Sequence, residues 1–149
     1  MKPTMKIERA QQRHLDAVTN LALRLWPEHE YGQLWQELGK TLSQPDAAFF
    51  LAFDGETPVG FAQCQLRRDY VEGTESSPVG YLEGIFVAEG YRHQGVARKL
   101  LAACENWAKE QGCTEFASDC ELVNAESLRF HLRVGFLEAN RIICFTKKL

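Results

Sequence analysis

Apolar residues along this chain recur at two spacings, so segments with helical periodicity alternate with segments of strand character. The first half predicts, in order, a short strand from Lys6 to Arg9, a helix through Leu15, Val18, Leu21, Ala22 and Leu25, a helix from Tyr31 to Leu42, and apolar strands Ala47 to Phe53 and Val59 to Leu66. Asp54-Gly55 between those two strands predicts a hairpin turn.

The second half continues the alternation after a polar loop from Arg67 to Ser77. It predicts a strand from Val79 to Val87, a helix from Gly95 to Gln111, a strand from Glu115 to Cys120, a helix from Ala125 to Val134, and two short strands or one bent hairpin between Phe136 and Thr146. This order indicates an α/β layered domain with a mixed central sheet. At 149 residues and 45% apolar content, we expect one domain over residues 1–149.

The segment from Tyr81 to Leu101 carries the clearest chemical signal, because an apolar strand there runs through a short basic loop into an amphipathic helix. Arg92, Gly95 and Ala97 fit the spacing Arg/Gln-x-x-Gly-x-Gly/Ala. Small residues at these places let backbone N–H groups approach a phosphate at the positive end of a helix. The segment therefore predicts a pyrophosphate site.

Strand, loop and helix together resemble the acetyl-CoA-binding core of the GCN5-related N-acetyltransferases. Three further stretches resemble the aminoglycoside 6'-N-acetyltransferases: Trp26 to His29, Asp69 to Pro78 with Leu82 to Val87, and Ala117 to Asp119. The similarity spans nearly the whole chain. The resemblance implies a sheet in which two neighbouring parallel strands splay apart around the pantetheine arm. Here these would be the strands Val79 to Val87 and Glu115 to Cys120.

The resemblance also implies which groups bind acetyl-CoA. Backbone groups around Ile85, Phe86 and Val87 would pair with the pantetheine, and the N–H of Val87 or a neighbour would polarise the acetyl carbonyl. The pyrophosphate would lie on the backbone of Arg92, His93, Gln94, Gly95, Val96, Ala97 and Arg98. The alternative is that Arg92 and Arg98 are solvated surface charges. Asn124 and Ser127 would touch the cofactor, although Asn124 is equally suited to cap a helix.

Three residues are candidates for proton transfer. Glu83 is an acidic residue inside an apolar strand, and alternation predicts that it shares a face with Ile85 and Val87. It is therefore the candidate general base, the alternative being a salt bridge at the sheet edge. Asp119 would hold the substrate ammonium or share this task. His131 stands where many members of the superfamily carry a proton-donating tyrosine, and a half-buried histidine is its alternative role.

The acceptor pocket is assigned by resemblance. Trp26, His29 and Tyr70 match positions that line the aminoglycoside pocket, with Trp26 as a core residue the alternative. Asn140 falls where the resemblance implies an acidic substrate contact, and its neutrality would weaken that contact. Acidic residues in the nearby loops would attract a multiply charged drug.

Net charge, cysteine content and the lack of targeting patterns limit the classes of partner and location that we expect. A net charge of −3 without a basic cluster beyond Arg92 to Lys99 argues against nucleic acid. No leader, membrane-spanning run or metal-ligand spacing is found in the sequence, and five cysteines without a C-x-x-C pair suit a reducing cytoplasm. The apolar segment Ile142 to Phe145 predicts pairing across a homodimer boundary.

We therefore expect an aminoglycoside 6'-N-acetyltransferase in which the amine attacks acetyl-CoA directly. Cys120 lies near the predicted cleft, but a covalent acyl-enzyme is not required. Two alternatives remain: an acetyltransferase for another amine, such as a polyamine, peptide terminus or metabolite, and a non-catalytic acetyl-CoA-binding module.

Overall fold

A single five-stranded sheet organises the chain in the computed structural model, which describes residues 5–149. The strands lie in chain order: β1 (Met5–Arg9), β2 (Ala47–Asp54), β3 (Thr57–Arg67), β4 (Val79–Val87) and β5 (Phe116–Ser118). Neighbours from β1 to β4 are antiparallel, whereas β4 and β5 are parallel. The predicted mixed sheet is confirmed.

Helices cover both faces of this sheet. They are α1 (Leu15–Leu25), α2 (Tyr31–Leu42), α3 (Val96–Glu110) and α4 (Ala125–Arg133). The apolar stripes of α1 and α2 pack with Phe49, Leu51 and Phe61 on one face. The stripe of α3 packs on the opposite face. All four helices were predicted from periodicity, because each carries apolar residues on one side only.

Strand β4 has a hydrogen-bonded partner along one edge but along only part of the other. Its pairing with β3 runs from Val79 to Val87, whereas its pairing with β5 stops at Leu82, opposite Ser118. Beyond Leu82, within residues 5–149, no strand pairs with the edge that faces β5, and the Val87 carbonyl on this edge accepts from Arg92 Nε instead. The predicted splay between these two parallel strands is therefore present.

A β-bulge interrupts β4 at Glu83. Gln63 pairs with Gly84 and Cys64 pairs with Leu82, so Glu83 is an extra residue with no counterpart on β3. One extra residue reverses the side-chain alternation beyond it. Accordingly Leu82, Ile85 and Val87 pack with the α3 cluster, whereas Phe86 packs with the α1 and α2 cluster.

The prediction of strands between Phe136 and Thr146 is wrong for the structure of this single chain. Residues 135–149 form no helix or strand, and those after Phe136 are exposed. A strand is stable only when a neighbour accepts its hydrogen bonds. The three-residue β5 offers this segment too short an edge in one copy of the chain.

Candidate active site

The loop before α3 presents a row of free backbone N–H groups. Within residues 5–149, the amides of residues 93–98 donate no hydrogen bond to a protein acceptor. His93 and Gly95 hold this shape with positive φ angles of 61° and 80°. Free amides at the start of a 15-residue helix form an anion site. This is the geometry that the predicted pyrophosphate loop requires.

The two arginines of this loop donate to backbone carbonyls of the protein. Arg92 Nε donates to the Val87 carbonyl at 2.9 Å, and Arg98 Nη2 donates to the Arg133 carbonyl at 3.5 Å. Gln94 likewise donates to the Gly90 carbonyl. These side chains fix the loop against β4 and the end of α4. Because they already donate to protein carbonyls, the backbone amides are the groups of this loop that are free to bind an anion in this structure.

The splayed edge of β4 offers further backbone groups. Ala88 N donates to the Val59 carbonyl, which places Ala88, and by alternation Phe86 and Gly84, toward β3. Ile85 and Val87 therefore direct their backbone groups toward β5, where pairing has already ended. Ile85 and Val87 are two of the three residues that the resemblance assigned to pantetheine pairing. The third, Phe86, does not fit that expectation, because its backbone faces its partner Phe61 on β3.

Glu83 lies in a salt bridge with Arg67, the last residue of β3. Arg67 Nη2 and Nε donate to the two carboxylate oxygens at 2.7 and 3.0 Å, and the Glu83 side chain is 17% exposed. The expectation that Glu83 shares a face with Ile85 and Val87 is wrong, because the bulge reverses the alternation. Glu83 instead lies on the Tyr81 side, since the Arg67 guanidinium stacks on the Tyr81 ring at 3.5 Å. The alternative role as a salt bridge is thus observed.

Tyr81 connects this ion pair to Asp119. Its hydroxyl donates to Asp119 Oδ2 just beyond the end of β5. Burial and this hydrogen bond raise the pKa of Tyr81, so the phenol stays protonated throughout the physiological range. Arg67, Tyr81, Glu83 and Asp119 therefore form one chain of contacts across the splay. It brings together the two carboxylates that the sequence selected.

His131 on α4 reaches β5 through Ser118. Nδ1 lies 2.7 Å from the Ser127 carbonyl, which can only accept, so we assign the proton of the neutral ring to Nδ1. Nε2 then accepts from Ser118 Oγ at 2.8 Å. Asn124 caps α4 by accepting from Ser127 N at 3.0 Å, and its predicted cofactor contact stays a prediction.

Trp26 lies directly over the bulge. A Cβ at Gly84 would come within 2.6 Å of the Trp26 indole, so only glycine admits the ring there. The ring also packs edge-on against Phe61 at 6.1 Å. Trp26 is thus an apolar packing residue that lies against Gly84, the residue after Glu83. His29 follows in the exposed turn, with its ring 6.5 Å from that of Trp26.

Tyr70 and Asn140 lie where the loop of residues 68–78 touches the C-terminal segment. Tyr70 is 75% exposed, and its hydroxyl accepts from Gly73 N at 3.3 Å. Asn140 Nδ2 donates to Glu72 at 2.9 Å. Their predicted contact with a substrate remains a prediction.

Sequence reasoning missed Arg67, Tyr81 and Ser118. Tyr81 stands two residues before Glu83, so alternation alone placed it on the same side as Glu83. Arg67 gave no signal, because its pairing with Glu83 depends on the bulge. The partnership of Ser118 with His131 depends on how α4 packs against β5.

The chain belongs to the acetyltransferase (GNAT) family, whose model matches residues 12–136. It is similar to relatives named aminoglycoside N(6')-acetyltransferase type 1. The relative from Serratia marcescens is 44% identical over 91% of this chain and 94% of that protein, and the one from Salmonella typhimurium is 38% identical over 97% and 99%.

Two solved structures of AAC(6')-Iy, an aminoglycoside N-acetyltransferase, are also similar. A complex with CoA superposes with a TM-score of 0.96 at 36% identity, covering 100% of this chain and 98% of that one. A complex with the bisubstrate analogue CoA-S-monomethyl-acetylneamine gives 0.93 at 37% identity, covering 98% and 99%. The predicted family and fold are confirmed.

Two features are absent from the described part of the chain, residues 5–149. No helix there has the length and apolar character needed to span a bilayer. No group of three or more His, Cys, Asp or Glu side chains there could hold a metal ion.

Proposed function

We propose that this chain transfers the acetyl group of acetyl-CoA to the 6'-amine of aminoglycosides by direct attack within a ternary complex. One observation carries the proposal: the unpaired edge of β4 runs between a loop of free amides and a pair of carboxylates. The names of the similar proteins supply the substrate class.

The backbone positions the donor. The amides of residues 93–98 bind the pyrophosphate, and Ile85 and Val87 hydrogen-bond the pantetheine as a neighbouring strand would. The thioester then lies in the splay, where a free N–H from β4 stabilises negative charge on the acetyl oxygen. Asn124 and Ser127, at the start of α4, contact the cofactor in this proposal.

The carboxylates and aromatic side chains receive the acceptor. Asp119 provides negative charge for a cationic sugar, Glu83 provides a carboxylate that is ion-paired with Arg67, and Trp26 provides an apolar wall. The amine must lose a proton before it attacks, because an ammonium has no lone pair. Each Glu83 oxygen keeps a second lone pair outside the Arg67 salt bridge, so Glu83 can accept the proton directly or through water.

In the chemical step, the amine nitrogen bonds to the acetyl carbon and the carbon–sulfur bond breaks. The departing thiolate takes up a proton. We assign this delivery to the Ser118 hydroxyl, which gives its proton to the sulfur and regains one from His131 when Nε2 of the ring, 2.8 Å away, also carries a proton. Acetylation replaces a positive ammonium by a neutral amide, which weakens binding to RNA phosphates. We therefore propose that the chain confers antibiotic resistance, and we assign it to the cytoplasm.

Regiochemistry tests the function most simply. The protein is incubated with acetyl-CoA and an aminoglycoside that carries a 6'-amine, in parallel with a matched compound that carries a 6'-hydroxyl. We expect CoA release and a single acetyl group on N6' for the first compound only, identified by NMR of the product. Turnover of spermidine or a peptide amine with no turnover of the drug would contradict the proposal.

Substitution of the two carboxylates tests the site. Glu83→Gln should lower kcat with the drug by about 100-fold, the scale of lost general-base catalysis, and leave acetyl-CoA affinity intact. Asp119→Asn should raise KM for the drug because it removes a charge from the acceptor side. Asp46→Asn is the matched control, since Asp46 pairs with Arg68 at the surface. Unchanged kinetics in both site variants would contradict the assignment.

The C-terminal segment supports a homodimer as part of this proposal. Ile142, Ile143 and Phe145 are each more than 70% exposed in one copy of the chain, and they lie in a segment without strand partners. We assign a second copy of the chain as their partner, because paired segments of two copies would satisfy their backbones and bury these side chains together.

Molecular mass in solution tests this assembly. Light scattering should give about twice the 17.0 kDa of one chain, and Ile143→Lys should shift it toward 17.0 kDa because a buried charge is costly. Gln36→Lys, on the exposed side of α2, adds the same charge and should leave the dimer intact. A monomeric parent protein would contradict the assignment.

A further inference from the structure

The acceptor side of the splay contains a fixed cation that the proposed reaction does not use. Arg67 donates to both oxygens of Glu83 and lies flat on the Tyr81 ring, and its side chain is 40% exposed. The hydrogen bond to Glu83 raises the pKa of Arg67, so the guanidinium is charged at every pH an assay would use. A positive charge beside a site for a positive substrate requires an explanation.

The two carboxylates alone would hold the amine in its unreactive form. An ammonium gains stability beside negative charge, so its pKa rises above the reference of about 10.4 when it lies next to Glu83 and Asp119. That increases affinity for the substrate and lowers the fraction that carries a lone pair. Binding and reaction therefore place opposite demands on the local charge.

We propose that Arg67 is a positioning residue that occupies Glu83 so that the reacting amine reaches the thioester neutral rather than as an ammonium ion-paired with Glu83. The inference rests on the proposed function and adds one specific role to it. Because the guanidinium cancels one of the two negative charges, the pKa of the bound amine falls. Asp119, which accepts from the Tyr81 hydroxyl, stays available to bind the cationic drug.

The other charged and titratable groups near Glu83 do not supply this effect. Within residues 5–149, the groups that face the Arg67–Glu83 pair from β4 and the end of β5 are Tyr81 and Asp119. From the turn after α1, His29 contacts Trp26, and His29 Nδ1 lies 3.4 Å from Glu28. Among these groups, Arg67 is therefore the one that brings a positive charge into contact with Glu83.

The test separates affinity from turnover. Arg67→Gln keeps hydrogen-bonding capacity and removes the charge, so we expect the KM for the drug to fall several-fold. We also expect kcat at pH 7 to fall about tenfold, as a rise of one unit in the pKa of the amine would produce. The lost turnover should return at high pH, because the acid side of the curve of kcat against pH moves to higher pH. Arg67→Lys keeps the charge and should keep this side of the curve near its original position.

Arg68→Gln is the matched control, because the neighbouring Arg68 pairs with Asp46 at the surface and not with the site. Its KM, kcat and pH profile should equal those of the parent protein. Acetyl-CoA affinity, measured by calorimetry, should be unchanged in all three variants and serves as the check on folding.

Two results would overturn the inference. One is a uniform loss of kcat in Arg67→Gln with no displacement of the acid side of the curve and no fall in KM, which is the behaviour of a merely structural ion pair. The other is an Arg67→Lys variant as impaired as Arg67→Gln. Failure of the parent protein to acetylate the drug would instead overturn the proposed function, and this inference with it.

Discussion

The site depends on one constraint: β4 is bonded to a neighbour along its whole length on one edge and only as far as Leu82 on the other. Backbone amides and carbonyls left unpaired inside a protein need partners. The edge at Ile85 and Val87 therefore suits a ligand that presents amides at strand spacing, which is the role we propose for pantetheine. The loop of residues 93–98 follows the same end of β4, so in our proposal the phosphates and the acyl group of one ligand meet complementary groups.

The bulge at Glu83 gives the two faces of this opening different chemistry. Before the bulge, Tyr81 packs with Val71 and Val79 in a cluster separate from that of α3, and after it Ile85 and Val87 pack toward α3. Glu83 can therefore lie beside Tyr81 and Arg67 on the acceptor side, while the same strand presents an apolar surface on the other. A regular strand with this sequence would have put the carboxylate on the face occupied by Ile85 and Val87.

Local sequence patterns predicted most of the fold, whereas the remaining features depend on how strands pair with one another. The periodicity of α1 to α4 and the turn at Asp54-Gly55 predicted their elements because each depends on neighbouring residues. The loop at Gly95 was found for the same reason. The bulge was not, since it is a mismatch between two strands that no single strand encodes. Arg67 was missed as a consequence, and residues 136–146 were predicted as strands although one copy of the chain gives them no partner.

Amide hydrogen exchange with and without CoA tests the central claim most directly. In the free protein, Gly84 and Phe86 should already be protected by β3, whereas Ile85, Val87 and residues 93–98 should exchange fast. Addition of CoA should slow exchange at this second set and leave Gly84 and Phe86 unchanged. Equal protection of all four β4 amides in the free protein, or no slowing at Ile85, Val87 and residues 93–98 with saturating CoA, would contradict the account.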